Sequence, residues 1–120
     1  MTPSEIITAE AQKRGADPQP VLQSVLGQVK SGHTILMQEN NSVLLITRLG
    51  NGRAMIHICT VDSPLTLRNS IKGFWNKLKG SEVKTVYGDT KNEQIIELMK
   101  KAGVKIEKSN LPKFTWMAKV

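Results

Sequence analysis

His57 stands between two isoleucines in the run MIHICTV, and Cys59, the single cysteine, follows two positions later. An imidazole can accept a proton near neutral pH, and a thiol becomes a nucleophile once ionised, so acid–base or thiol chemistry would be placed here first. The alternating pattern sets His57 on one side of a strand, where a lone histidine is ordinarily a surface or hydrogen-bonded residue. Cys59 cannot form an internal disulfide, and a thiol in an apolar run behaves as a small hydrophobe. No metal-ligand spacing stands out.

Charge is the second chemical signal. Residues 1–60 hold five Lys/Arg against four Asp/Glu, and residues 61–120 hold twelve against six, so the net charge of +7 sits almost wholly in the C-terminal half. A basic half attracts nucleic acid, phosphate-bearing cofactors or acidic protein surfaces. Lysine dominates it, and only Phe74, Trp75, Tyr87, Phe114 and Trp116 could serve as stacking platforms, so no nucleic-acid reader motif accompanies the charge.

The elements that must position these residues follow from periodicity. A length of 120 residues fits one domain, 1–120, with a core that needs neither disulfide nor metal. No apolar run reaches membrane-spanning length and the N-terminus lacks the features of a secretion signal, so an intracellular protein without a membrane partner is expected. SEIITAEAQKRG reads as a short helix. VLQSVLGQVKSG places Val21, Leu22, Val25, Leu26 and Val29 at helical spacing and predicts a second. HTILMQENNSVLLITRLGNGRAMIHICTV contains three apolar runs separated by ENNS and GNG, the pattern of an antiparallel meander.

Beyond the meander, Pro64 suits a first helical position, and Leu67, Ile71, Phe74, Trp75 and Leu78 form a buried stripe before Gly80. VKTVYGD reads as a strand. Thr90 and Glu93 have capping-box spacing, Ile95, Ile96, Leu98, Met99 and Ala102 make the next stripe, and Gly103 suits a left-handed helix end. VKIEKS and FTWMAKV then predict a closing hairpin, whose alternation should bury Phe114 and Trp116 on one side. The order is α-α-β-β-β-α-β-α-β-β, an α/β (α+β) fold with a mixed sheet and helices on both faces.

This order resembles the GNAT acyltransferase superfamily. In sequence the likeness centres on YGDTKNEQIIELMKKAGVKI, where Asn92, Ile95, Leu98, Met99, Gly103 and Val104 fall at the places of the family pattern N-x-x-A-x-x-L-Y-x-x-x-G-F. In the family a glycine-rich loop after the strand matching IHICTV holds the CoA pyrophosphate on backbone amides at a helix N-terminus. This chain has VDSPLTLRN there, without glycine, with an acid at Asp62 and with Pro64 removing one donor. The resemblance makes Val61, Asp62, Ser63, Leu65, Arg68 and Asn92 the candidate cofactor contacts. Met99 occupies the place of a family tyrosine that protonates the leaving thiolate, so Tyr87 becomes the substitute proton donor, and His57 and Glu39 the candidate bases.

The layout from IHICTVDSP onward is also similar to small GNAT-like internal virion or assembly proteins of tailed phages, the podophages. Together these likenesses imply a degenerate GNAT-like module, a pseudoenzyme that binds a protein partner or virion component and sits in the bacterial host cytoplasm or the particle. No cofactor is then expected. The alternatives are an acetyl-CoA-dependent N-acetyltransferase with an atypical cofactor loop, and a basic domain that contacts nucleic acid through its C-terminal half.

Overall fold

The computed structural model describes residues 1–90 and 92–120; Lys91, one of the basic residues of the C-terminal half, lies outside the described residues. Among the described residues four helices and six strands occur in the predicted order: α1 Pro3–Lys13, α2 Pro18–Lys30, β1 Thr34–Glu39, β2 Ser42–Gly50, β3 Arg53–Thr60, α3 Pro64–Lys79, β4 Thr85–Gly88, α4 Glu93–Lys101, β5 Glu107–Lys108 and β6 Trp116–Lys119. The strands form one mixed sheet in the order β1-β2-β3-β4-β6-β5.

Local chemistry sets the boundaries. Thr2 caps α1 in a reciprocal capping box with Glu5, and the Asp17 side chain caps α2 by accepting from the Gln19 amide at 3.1 Å. α2 therefore starts at Pro18, earlier than its apolar stripe suggests. Between strands of the meander, Asn40 and Asn51 take the left-handed conformation with φ of 51° and 57°, which asparagine tolerates better than most side chains. At α4 the predicted capping box gives way to Asn92, whose side chain accepts from the Gln94 amide at 3.0 Å, while Thr90 accepts from the Asn92 amide at 3.3 Å. Both side chains cap the backbone in series, with Thr90 two residues before the Asn92 cap.

Two apolar layers cover the sheet. On one face Leu44, Ile46, Ala54, Ile56, Val86, Trp116 and Ala118 meet the stripe Leu67, Ile71, Phe74, Trp75 and Leu78 of α3, with Met99 of α4 beneath them. On the other, Ile6 and Ile7 of α1 and the partly buried Val21, Leu22 and Val25 of α2 pack on Val43, Cys59, Leu36 and Leu45. Each fully buried side chain of this size contributes about 1.5–3 kcal/mol, so these layers hold the strands in place. β6 is shorter than its apolar run: Trp116 enters the α3 layer as expected, but Phe114 lies before the strand and stacks on Tyr87, with ring centroids 5.5 Å apart. β6 lies between β4 and β5 in the sheet, not at its edge.

Candidate functional site

The sheet parts between β3 and β4. Their parallel pairing covers only Arg53 with Thr85, Ala54 with Val86 and Met55 with Tyr87. Beyond that point β3 stays bound to β2 as far as the pair of Ser42 with Thr60, whereas β4 stays bound to β6 as far as the pair of Gly88 with Trp116. Two strands that follow different partners diverge, and the wedge between them is a cavity of about 410 Å³, within the usual size of a small-molecule site.

The wedge has distinct walls. β3 supplies Ile56, His57, Ile58 and Thr60; the end of β4 and the turn after it supply Gly88, Asp89, Thr90 and Asn92. Ile95, Met99 and Trp116 make an apolar floor, and Glu10, Lys13 and Arg14 of α1 stand at the mouth. Gly88 is required here by close approach: a Cβ on it would collide with the Trp116 indole ring. Because the bare backbone of Gly88 admits that ring, Trp116 can lie beneath the opening while packing against the α3 layer. Its Nε1 is buried without a hydrogen-bond partner among the described residues.

At the β3–α3 junction the helix starts with uncapped amides. Ser63 is the N-cap residue, but its side chain caps no amide and donates instead to the Thr66 hydroxyl at 3.1 Å. Pro64 has no N–H to offer, so the donors of the first turn are the amides of Leu65 and Thr66, at the positive end of a 16-residue helix. One turn on, the Nε of Arg68 is buried without a partner among the described residues. An anion resting on that turn would find the backbone donors of Leu65 and Thr66.

Asp62 is turned away from that position. Its carboxylate accepts from the Asn41 amide at 3.1 Å, from the Ser42 hydroxyl at 2.6 Å and from the Ser70 hydroxyl at 3.4 Å. Its own amide donates to the Thr60 hydroxyl at 3.0 Å. The acid expected to oppose a diphosphate instead ties the start of α3 to the β1–β2 turn, and its charge is answered there. Val61 donates its amide to the Asn41 carbonyl at 3.1 Å, so it too serves the turn, while Leu65 is 70% exposed and offers only its backbone.

Of the candidate bases, His57 alone lines the wedge. Glu39 is drawn to α3, where it pairs with Lys77 at 3.0 Å and lies over Gly73. Tyr87 shares the sheet face of His57 but is covered by the segment before β6: it is 1% exposed, stacks on Phe114 and donates its hydroxyl to the Asn110 side chain at 3.0 Å. Sequence reasoning missed Glu10, Lys13 and Arg14. Glu10 and Arg14 are spaced as a helical ion pair, which forms at 3.1 Å, but nothing in α1 reveals which strand ends it faces. Burial, followed by the Glu10 charge, pushes the Cys59 thiol up to about 12.

Solved structures share this architecture. The chain superposes on an acetyltransferase of Bacillus subtilis in complex with CoA with a TM-score of 0.53, at 13% identity, over 84% of this chain and 82% of that one. A variant of the spermidine N-acetyltransferase of Vibrio cholerae gives a TM-score of 0.55 at 7% identity, over 86% of this chain and 73% of that one. The chain has the GNAT fold. No protein-family model matches the sequence, and no curated protein matches it. The GNAT likeness therefore lives in topology, and the expectation of a virion relative draws no support from these structures. No helix among the described residues is long and apolar enough to cross a membrane.

Proposed function

We propose that the GNAT-fold wedge binds an acyl-CoA and that the chain transfers the acyl group to a primary amine. The observation that carries this reading is the parting of β3 from β4 after three residue pairs, which leaves a cavity of about 410 Å³ with His57 on its wall. The residues present fit the cofactor. The Leu65 and Thr66 amides and the Arg68 guanidinium would hold its phosphates, and the orphaned Nε of Arg68 is a donor that such a ligand would satisfy. Bound there, CoA supplies an activated thioester.

The chain's own residues supply the remaining chemistry. His57 takes the proton from the acceptor nitrogen as it attacks, a role worth about 10²–10⁴ in rate for a positioned base. The apolar floor of Ile95, Met99 and Trp116 excludes water from the acyl group. Glu10 and Asp89 give the mouth the negative charge that draws a cationic amine, beside Lys13 and Arg14, which favour an acceptor that also carries an acid group.

A second reading is supported by a different observation. Met99 stands where the family places its proton-donating tyrosine, and the hydroxyl of Tyr87 is committed to Asn110. On that reading the chain retains the wedge as a binding module without turnover, and a protein partner becomes its target. Thermal unfolding with CoA and acetyl-CoA, run beside an assay of CoA release over a panel of primary amines, separates the two. A raised melting temperature with CoA release supports the transferase. A raised melting temperature with no release on any amine supports the module, and an unchanged melting temperature at saturating acetyl-CoA ends the transferase reading and leaves the module, which needs no cofactor.

A further inference from the structure

Three side chains of different chemistry converge where α1 crosses the end of β3. A carboxylate oxygen of Glu10, a ring nitrogen of His57 and the Sγ of Cys59 all lie within 4.8 Å of one another. The strand and helix dictate this meeting. His57 and Cys59 are two apart on β3 and so share the face that α1 covers, and Ile6 and Ile7, packed with Cys59, lay the following turn of the helix across them.

We propose that Glu10, His57 and Cys59 form a binding site for a transition-metal dication of the zinc type, with its fourth position open to the wedge. The donor set of one thiolate, one imidazole and one carboxylate suits a borderline-soft ion and not calcium or magnesium, which prefer oxygen alone. Tetrahedral bonds of about 2.0–2.3 Å need donor atoms roughly 3.4–3.8 Å apart, so the cluster must tighten by about 1 Å. Glu10 can swing on a long side chain and His57 is exposed, so both can close on the fixed, buried sulfur.

Three further features fit this assignment. Glu10 brings a carboxylate oxygen within 4.8 Å of the Cys59 sulfur, and its charge holds the hydrogen on that thiol. A metal arriving there takes the place of that hydrogen: one Sγ–metal bond forms, the S–H bond breaks, and the proton leaves to solvent. Arg14 holds one Glu10 oxygen at 3.1 Å, which orients the carboxylate from outside as the outer partners of metal ligands do and leaves the second oxygen for the ion. The charges also balance, since a thiolate and a carboxylate neutralise a dication while Arg14 and Lys13 lie beyond them.

Occupancy has a functional meaning for the wedge. A metal on His57 takes the lone pair that amine deprotonation requires, so the loaded protein is switched off as a transferase and regains activity when a chelator removes the ion. The binding test itself needs neither acyl-CoA nor acceptor, so its failure leaves the transferase reading untouched and the reverse also holds.

The apo protein is titrated with Co²⁺ and then Zn²⁺. One equivalent of Co²⁺ should bind with the visible absorption of a tetrahedral centre and a thiolate-to-cobalt charge-transfer band in the near ultraviolet, and Zn²⁺ should abolish both. Cys59→Ala should remove the charge-transfer band, and His57→Ala and Glu10→Gln should each weaken binding by about 10–100-fold. His57 is exposed, so its variant folds whatever becomes of the buried Cys59 variant. His33, the other histidine, lies against Ser31, and His33→Ala should bind as the parent does. A cobalt spectrum without the thiolate band overturns the site, as does affinity unchanged by His57→Ala or lost with His33→Ala.

Discussion

The Ser42 hydroxyl donates to the Asp62 carboxylate at 2.6 Å, and this bond closes a ring. The Asp62 amide donates to the Thr60 hydroxyl at 3.0 Å, the Thr60 and Ser42 hydroxyls meet at 2.6 Å, and Ser42 returns to Asp62. Each hydroxyl has one hydrogen, so the direction around the ring is fixed: Thr60 donates to Ser42. Ser42 is wholly buried, which makes each of these bonds costly to leave unmade.

Removing the hydroxyl tests that ring. Ser42→Ala strips a donor from a carboxylate and an acceptor from Thr60, and should cost about 2 kcal/mol of stability in urea unfolding. Acyl-CoA affinity should change less than twofold, because Asp62 faces the hairpin and not the helix amides. A large loss of affinity with little loss of stability would place Asp62 in the cofactor site after all.

Gly88→Ala tests the close approach under the wedge. The added methyl collides with the Trp116 indole, and both must shift, at a cost of roughly 1–3 kcal/mol. The fluorescence of Trp116 should move toward that of an exposed indole, and acetyl-CoA should lose most of its stabilising effect. Native stability together with an unchanged emission maximum would show that the ring does not rest there.

The proposed transferase chemistry places the base at His57 and not at Tyr87. His57→Ala should lower kcat by about 10²-fold or more while leaving the affinity for CoA within a few-fold. Tyr87→Phe should leave the rate within a few-fold and cost about 1 kcal/mol of stability through the lost bond to Asn110. Reversed effects, a slow Tyr87→Phe and a normal His57→Ala, would exchange their roles.

Cys59 gives a pH dependence of known sign. Its folded thiol is raised to about 12 from an ordinary value of 9.0, so the unfolded chain ionises first as pH rises. The stabilisation is fully present below the unfolded value and is lost between the unfolded and folded values, with a slope approaching about 1.4 kcal/mol per pH unit. Urea unfolding of the metal-free protein from pH about 8 to about 11 should show this decline over and above that of Cys59→Ala. In the same state the native thiol should resist alkylation near neutral pH. Rapid alkylation of the folded protein would mean that the sulfur is not buried as described.

Much of the fold was legible because its signals are local. The α3 stripe, from Leu67 to Leu78, repeats every three or four residues, Asn51 and Gly52 mark a hairpin, and Gly103 takes the left-handed turn with φ of 94°. Every strand and helix among the described residues follows from such signals. The site was less legible. Its wall residue His57 could be named from strand alternation, yet Glu10 is 47 positions away in sequence and meets it only because Ile6 and Ile7 seat α1 on the sheet. Asp62 was read by its charge alone, whereas its orientation is decided by the Asn41 amide and the Ser42 hydroxyl, which a linear reading cannot weigh. Tyr87 has the right chemistry for a proton donor, and Phe114 and Asn110 cover it from a loop whose path no periodicity fixes.

The three-pair contact between β3 and β4 makes the sheet two rafts joined by a narrow seam. One raft carries β1 to β3, the other β4, β6 and β5, and few rungs cross between them: the three pairs starting at Arg53 and the bonds from the Lys84 and Thr85 amides to the Gly52 carbonyl at 2.7 and 3.2 Å. A molecule lodged between the rafts would act as mortar. Amide hydrogens along both lips of the seam would then exchange together and slow together, so the joint itself reports whether the wedge is filled.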